Sequence, residues 1–235
     1  MLVLAMDTST EAVSVGLLDL PADGSARLLA RRSRPGARQH GELLMPSVLE
    51  VCAEAGVRLP EVAAVVCGVG PGPFTGLRVG LVSAASLGDA LGIPVHGVCS
   101  LDAVAATVHA GEPLLVVSDA RRRELYWAAY DAAGARVVGP AVHAPDAVPG
   151  ALAAAAPGLD PRWVAGPVAG EFAELLGGAP LRPGEGPDPA GLVAMAAAAL
   201  RAGVAPEPLE PCYLRRPDAV PPAARKRVSP VASPR

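Results

Sequence analysis

Aromatic side chains are scarce in this chain: two Phe, two Trp and three Tyr among 235 residues, or 3%. With 51% hydrophobic residues, a core has to be built from Ala, Val and Leu. Lysine is nearly absent, Lys226 being the only one, and 20 basic residues face 23 acidic ones for a net charge of −3. No basic field is available for strong autonomous RNA binding. Cys52, Cys67, Cys99 and Cys212 form no Cys-x-x-Cys pair, which points to reduced, buried thiols in a cytosolic protein. His40, His96, His109 and His143 include no two at metal-ligand spacing, so no metal site is expected. No apolar run reaches the ~20 residues needed to span a bilayer. The opening run Met1 to Met6 lacks a basic flank and is cut short by Asp7; it reads as a strand and not as a signal peptide. Together these absences predict a cytoplasmic protein without membrane contact.

The most informative stretch present is Gly68-Val69-Gly70-Pro71-Gly72-Pro73-Phe74-Thr75-Gly76-Leu77-Arg78-Val79-Gly80. It follows an apolar run, 62–67, that reads as a buried strand, and precedes a small-residue run to Leu91 that reads as a helix starting at Gly76 and capped by Thr75. Glycine permits close approach of another group, and proline fixes the backbone. No Gly-Lys-Ser/Thr follows, which excludes a P-loop, and the prolines break any dinucleotide fingerprint. Two readings stay open from the loop alone: a tight turn, or a specialised backbone near a phosphate at a helix start.

The chain also repeats itself. Leu2 to Asp7 and Leu114 to Asp119 are apolar strands ending in Asp; each is followed by a short polar turn and a second apolar run ending at Asp19 or Asp131. Both Asp pairs are separated by 112 residues. A hairpin used twice predicts two related lobes facing each other across a cleft. In the first half, a strand over 26–34, a helix over 40–55 containing Pro46, the 62–67 strand, the 76–91 helix, a strand over 95–98 and a helix over 101–109 complete a βββαβαβα order. In the second half, helices are expected over 147–156, 169–176 and 189–202 and a strand over 162–165, with a Gly/Pro-rich loop from 177 to 189. The expected division is 1–109 for the first lobe, 110–216 for a smaller second lobe, and a disordered tail over 217–235, whose Arg225-Lys226-Arg227 reads as a solvated cluster.

Several pieces together are similar to one family. Leu4-Ala5-Met6-Asp7-Thr8-Ser9-Thr10-Glu11, the loop from Gly70 to Gly80, Asp119-Ala120-Arg121 with Glu124-Leu125-Tyr126-Trp127, His40 with Leu43-Leu44-Met45-Pro46, and Glu210-Pro211-Cys212-Tyr213-Leu214-Arg215 resemble the TsaB (YeaZ) family. Its members serve the bacterial machinery that places a threonylcarbamoyl group on adenosine 37 of tRNA. The resemblance is dense over 1–131 and returns near 207–215. It implies an α/β, actin-like fold of the ASKHA (ribonuclease H-like) kind. It also implies a catalytic TsaD-type partner, a TsaE-type ATPase, and tRNA reached through the complex, with a homodimer as an alternative assembly.

The residues favour a scaffold over a catalyst. Phosphate cradles of this superfamily carry Gly in the turn after the Asp, and neither turn here does. The His-x-x-x-His pair expected of the catalytic paralogue is missing, since Leu44 stands four positions after His40. No cofactor is required on this reading; weak ATP or ADP binding is assigned to Asp7, Thr8, Ser9, Gly72, Thr75 and Asp119. The partner interface is assigned to two helices that are apolar on more than one face, through Leu44, Val48 and Val51 of the first and Gly76, Arg78, Gly80, Ser83, Ala84, Leu87 and Gly88 of the second. Two other classes stand beside the scaffold: a small-molecule kinase or ATPase of the same fold, and a metallopeptidase-like protein.

Overall fold

In the computed structural model, residues 1–215 are described, apart from Ala37, Pro183 and Glu185. The tail over 217–235 lies outside the described residues, and with it the Arg225–Arg227 cluster.

Two five-stranded sheets share one topology. The first contains β1 (Leu2–Asp7), β2 (Ala12–Asp19), β3 (Arg27–Pro35), β4 (Ala64–Gly68) and β5 (Val95–Val98) in the order β3-β2-β1-β4-β5. The second contains β6 (Leu114–Asp119), β7 (Leu125–Tyr130), β8 (Arg136–His143), β9 (Trp163–Ala165) and β10 (Leu181–Arg182) in the order β10-β9-β6-β7-β8, the same arrangement read from the other edge. In each, the first two strands form an antiparallel hairpin and the first and fourth run parallel. The helices complete the duplication: α1 (His40–Ala55), α2 (Phe74–Leu91) and α3 (Ser100–Val108) in the first half, α4 (Val148–Ala155), α5 (Ala169–Phe172) and α6 (Pro189–Arg201) in the second. Both halves therefore read βββαβαβα.

Layering follows from the burial of alternate strand residues. Leu4, Met6, Val13, Val15, Leu17, Val65 and Cys67 point to the outer face of the first sheet, where α1 and α2 cover them. Val3, Ala5, Leu18, Ala64 and Val66 point to the inner face and are covered by Leu192, Val193, Ala196 and Leu200 of α6. In turn α3 supplies Leu101, Val104 and Ala105 to the inner face of the second sheet, among Val116, Tyr126, Ala128 and Tyr130. Each half thus packs its last helix against the other half's sheet. The α3–α6 contact is close enough that a Cβ on Gly191 would lie 2.1 Å from the Ala103 carbonyl oxygen. The outer face of the second sheet is covered by α4 and the α5 region, around Trp127, Val148, Leu152 and Leu176.

Several sequence expectations shift. The 76–91 helix begins at Phe74, its N-cap is Pro73 with no side-chain cap, and Thr75 lies exposed in the first turn and caps nothing. Pro46 sits within α1 without ending it, as expected. The 169–176 helix keeps regular geometry only to Phe172 and continues as turns to Leu176. Strand β8 and the short β10, the latter inside the expected 177–189 loop, were not anticipated.

Candidate functional site

Asp7 ends β1 completely buried. Its Oδ1 accepts the Ser9 backbone N–H and the Ser9 hydroxyl, both at 2.7 Å, and its Oδ2 accepts the Ser100 hydroxyl at 2.6 Å. Ser100, the first residue of α3, also accepts the Gly70 N–H at 3.1 Å and donates its own N–H to the Gly70 carbonyl at 2.8 Å. Burial raises the Asp7 carboxyl above its ordinary value, against the lowering effect of these hydrogen bonds. The carboxylate is a knot joining the first hairpin turn, the glycine loop and the start of α3.

The glycines of the loop are occupied from within. A Cβ on Gly68 would meet Asp7 Oδ2 at 1.7 Å, and one on Gly72 would meet the Ser9 carbonyl at 2.4 Å. The Thr8 hydroxyl donates to the Gly76 carbonyl at 2.8 Å and accepts the Gly80 N–H at 3.1 Å. Those two groups are the i and i+4 partners of an α-helix, so Thr8 docks into the ladder of α2; a Cβ on Gly80 would lie 2.4 Å from its hydroxyl. His40, buried at the start of α1, places Nε2 2.9 Å from the Thr10 carbonyl. The loop that could have wrapped a phosphate wraps the chain's own 7–10 turn. The structure places the residues assigned to nucleotide contact inside the fold: Asp7, Thr8 and Ser9 are at most 3% exposed, Gly72 is buried against Ser9, and the Asp7 carboxyl and the Thr8 and Ser9 hydroxyls already have partners. Thr75 is exposed in the first turn of α2.

Asp119 repeats the turn chemistry, its Oδ1 accepting the Arg121 N–H at 2.7 Å. In both hairpins the strand-terminal Asp closes its own turn two residues on. Asp119 is less buried and borders a cleft of about 560 Å³ with Thr10, Glu11, Arg121, Arg123 and Phe172. Arg121 bridges the two turns, pairing with Glu11 at 2.7 Å and Asp119 at 3.1 Å. Among the described residues no three His, Cys, Asp or Glu side chains come together as a metal site, and no helix is long and apolar enough to cross a membrane.

Most of the residues assigned to the partner interface are turned inward. Leu44, Val48, Val51, Ala84 and Leu87 are core, packed on the outer face of the first sheet, and Gly76, Gly80 and Gly88 are buried against Thr8, His40 and Val95. They face inward because the apolar stripe in phase with the sheet is the one the fold consumes. Ser83 is half-buried and Arg78 exposed. What remains outward is a second stripe: Pro46, Leu49 and Ala53 on α1, and Val82, Ala85 and Ser86 on α2. Leu49 is 56% and Val82 64% exposed. Charges stand at its ends, at Glu42 and Glu54, and at Arg78 and Asp89, and along its α1 edge, where Glu50 pairs with Arg32 and Arg34. Apolar residues out of phase with the buried stripe were the sequence signal for this face.

A family model described as "TsaD: tRNA N6-adenosine threonylcarbamoyltransferase" matches residues 34–166. The solved structure of YeaZ from Pseudomonas aeruginosa superposes with a TM-score of 0.70 at 30% identity, over 91% of this chain and 99% of that one. The chain belongs to the TsaB/YeaZ family. An uncharacterized protein of Mycobacterium tuberculosis is 48% identical over 223 residues, 93% of this chain and 94% of that protein. The Haemophilus influenzae protein named "tRNA threonylcarbamoyladenosine biosynthesis protein TsaB" is 37% identical over 127 residues, 53% of this chain and 51% of that one. The family bears out the actin-like α/β fold expected from the motifs.

Proposed function

We propose that this TsaB/YeaZ-family protein is a cytoplasmic, non-catalytic subunit that docks a TsaD-type subunit through the outward stripe of α1 and α2, and so supports threonylcarbamoylation of adenosine 37 in tRNA. The observation that carries the reading is the self-filled cradle: the strand-terminal Asp7 and the glycine loop spend their hydrogen bonds on each other and on Ser9, Thr8 and Ser100. A kinase or ATPase of this architecture would need the Asp7 carboxylate within reach of a ligand, and it is 0% exposed. Metallopeptidase chemistry would need a ligand cluster that the described residues lack.

The uncovered face suits a helical partner. Pro46, Ala53, Ala85 and Ser86 are small or compact, Leu49 and Val82 stand proud of them, and an apolar centre with a charged rim is how protein interfaces are built. Two helices laid against this pair would make a four-helix contact, and a second copy of the chain is the alternative occupant. A TsaE-type ATPase and tRNA join through the assembly, since the chain itself carries a net charge of −3. No cofactor is required; any ATP or ADP would occupy the cleft beside Asp119 and not the Asp7 turn.

Co-purification with a TsaD-type subunit tests this. Leu49→Arg and Val82→Arg should each abolish pairing while leaving the fold intact. Undiminished pairing in both variants refutes the interface.

A further inference from the structure

Beyond α6 the chain runs without helix or strand over residues 204–215 and crosses from one lobe to the other. Leu209 packs on the first lobe's outer core. The Cys212 N–H donates to the Val69 carbonyl in the glycine loop at 2.8 Å. The Tyr213 ring stacks on Phe74 with centroids 5.1 Å apart and planes inclined by 26°. Its hydroxyl accepts from Arg78 Nε at 2.8 Å, and the Arg78 guanidinium lies 3.9 Å over the Phe74 ring. One residue on, Leu214 packs into the second lobe's inner core. Arg215 then donates to the Ala120 carbonyl at 2.8 Å and pairs with Glu124.

The four residues 212–215 thus tie the start of α2 to the second hairpin's turn. That turn is strained. Arg121, Arg122 and Arg123 hold φ of 60°, 56° and 59° in succession, where a non-glycine residue costs on the order of 1–3 kcal/mol and persists only if its surroundings hold it. The contacts that hold it include Asp119 on the Arg121 N–H and side chain, Glu11 on the same side chain, the Ala120–Glu124 pairing, and Arg215 from outside.

We propose that residues 212–215 are a coupling strap, through which whatever seats on Phe74 and Arg78 is felt at the arginine turn beside the cleft. A group that takes the place of the Tyr213 ring loosens Arg215, and the turn loses one of its restraints. The strap gives docking on α2 a readout at the cleft; only the identity of the occupant rests on the proposed function above.

Hydrogen exchange in the free chain tests the strap without any partner. The Ala120 N–H is bonded to the Glu124 carbonyl at 2.9 Å and the Glu124 N–H to the Arg121 carbonyl at 3.1 Å. Tyr213→Ala and Phe74→Ala touch neither amide, yet each should speed exchange at both by roughly fivefold or more, as Arg215→Ala does directly, with Val65 and Val66 in β4 as the reference. Wild-type rates at Ala120 and Glu124 in the Tyr213 and Phe74 variants overturn the proposal, and so does an acceleration matched at Val65 and Val66. In the complex with a TsaD-type subunit, wild type should change exchange at 120–124 and Arg215→Ala should not. Failure of the complex to form at all counts against the docking face, and the free-chain comparison still decides the strap.

Discussion

The close approach of Gly80 to Thr8 sets up a double-substitution test. Gly80→Ala puts a Cβ 2.4 Å from the Thr8 hydroxyl and 3.6 Å from the Thr8 Cβ, so the conflict is with one oxygen alone. Overpacking a buried site costs about 1–3 kcal/mol. Displacing the hydroxyl also disturbs its bonds to the Gly76 carbonyl and the Gly80 N–H, at about 0.5–1.5 kcal/mol each. Better helix propensity returns about 1 kcal/mol. The expected net loss is about 1–5 kcal/mol, large beside the total stability of a domain. Thr8→Ala removes the oxygen and leaves an ordinary carbon contact, so Gly80→Ala introduced into that background should be neutral or slightly stabilising. Urea unfolding of the four proteins gives the interaction energy, expected at about 2 kcal/mol or more. Additivity within about 0.5 kcal/mol would mean that Thr8 does not fill the space over Gly80 and that the loop is open to another group.

On the outward stripe, Leu49→Arg or Val82→Arg should change stability by no more than about 0.5 kcal/mol and weaken binding of a TsaD-type subunit by about 2 kcal/mol or more, read by denaturation and titration calorimetry. Because the folded Asp7 carboxyl is raised above 3.8, its contribution to stability is present below that pH and is lost as pH climbs through the folded value. Asp7→Asn should therefore gain on wild type as pH rises from about 3 towards 7; a pH-independent difference in unfolding free energy contradicts the burial argument. Arg123→Gly, which relieves one left-handed residue at φ 59°, should raise stability by about 1 kcal/mol, and a loss of that size would show that the side chain holds the turn. Burial lifts the Cys67 thiol far above its ordinary range and Cys99 to about 11, so native protein at pH 8 should leave Cys67 unlabelled by a thiol reagent until it is unfolded.

Much of the architecture was legible because it rests on strong local signals. The 40–55 helix is bounded as read, its end marked by Gly56 in left-handed geometry. The 112-residue repeat emerges as two sheets of one topology, with Asp7 and Asp119 closing equivalent turns. What escaped had weaker periodicity. The β8 strand, Arg136–His143, is largely exposed or half-buried and interrupted by Gly139 and Pro140, so it shows little alternation. The site was legible as a location, and its chemistry was not. Glycines at 68, 72 and 80 announce a close approach, yet a sequence does not say whether the approaching group is a phosphate or the chain's own Ser9 and Thr8. Of the residues assigned to the interface, Leu44, Val48, Val51 and Ala84 turn inward to the core, because the buried stripe carries the stronger apolar pattern and the outward one is marked only by Leu49 and Val82.

Reconstituted threonylcarbamoyl transfer to tRNA reaches the central claim most directly. Purified chain alone should give no modified adenosine 37, and adding it to a TsaD-type subunit should raise that subunit's turnover, with Asp7→Asn as effective as wild type and Val82→Arg ineffective. Modification by the chain alone, or full stimulation by Val82→Arg alongside loss with Asp7→Asn, would place chemistry in the cradle and contradict the account.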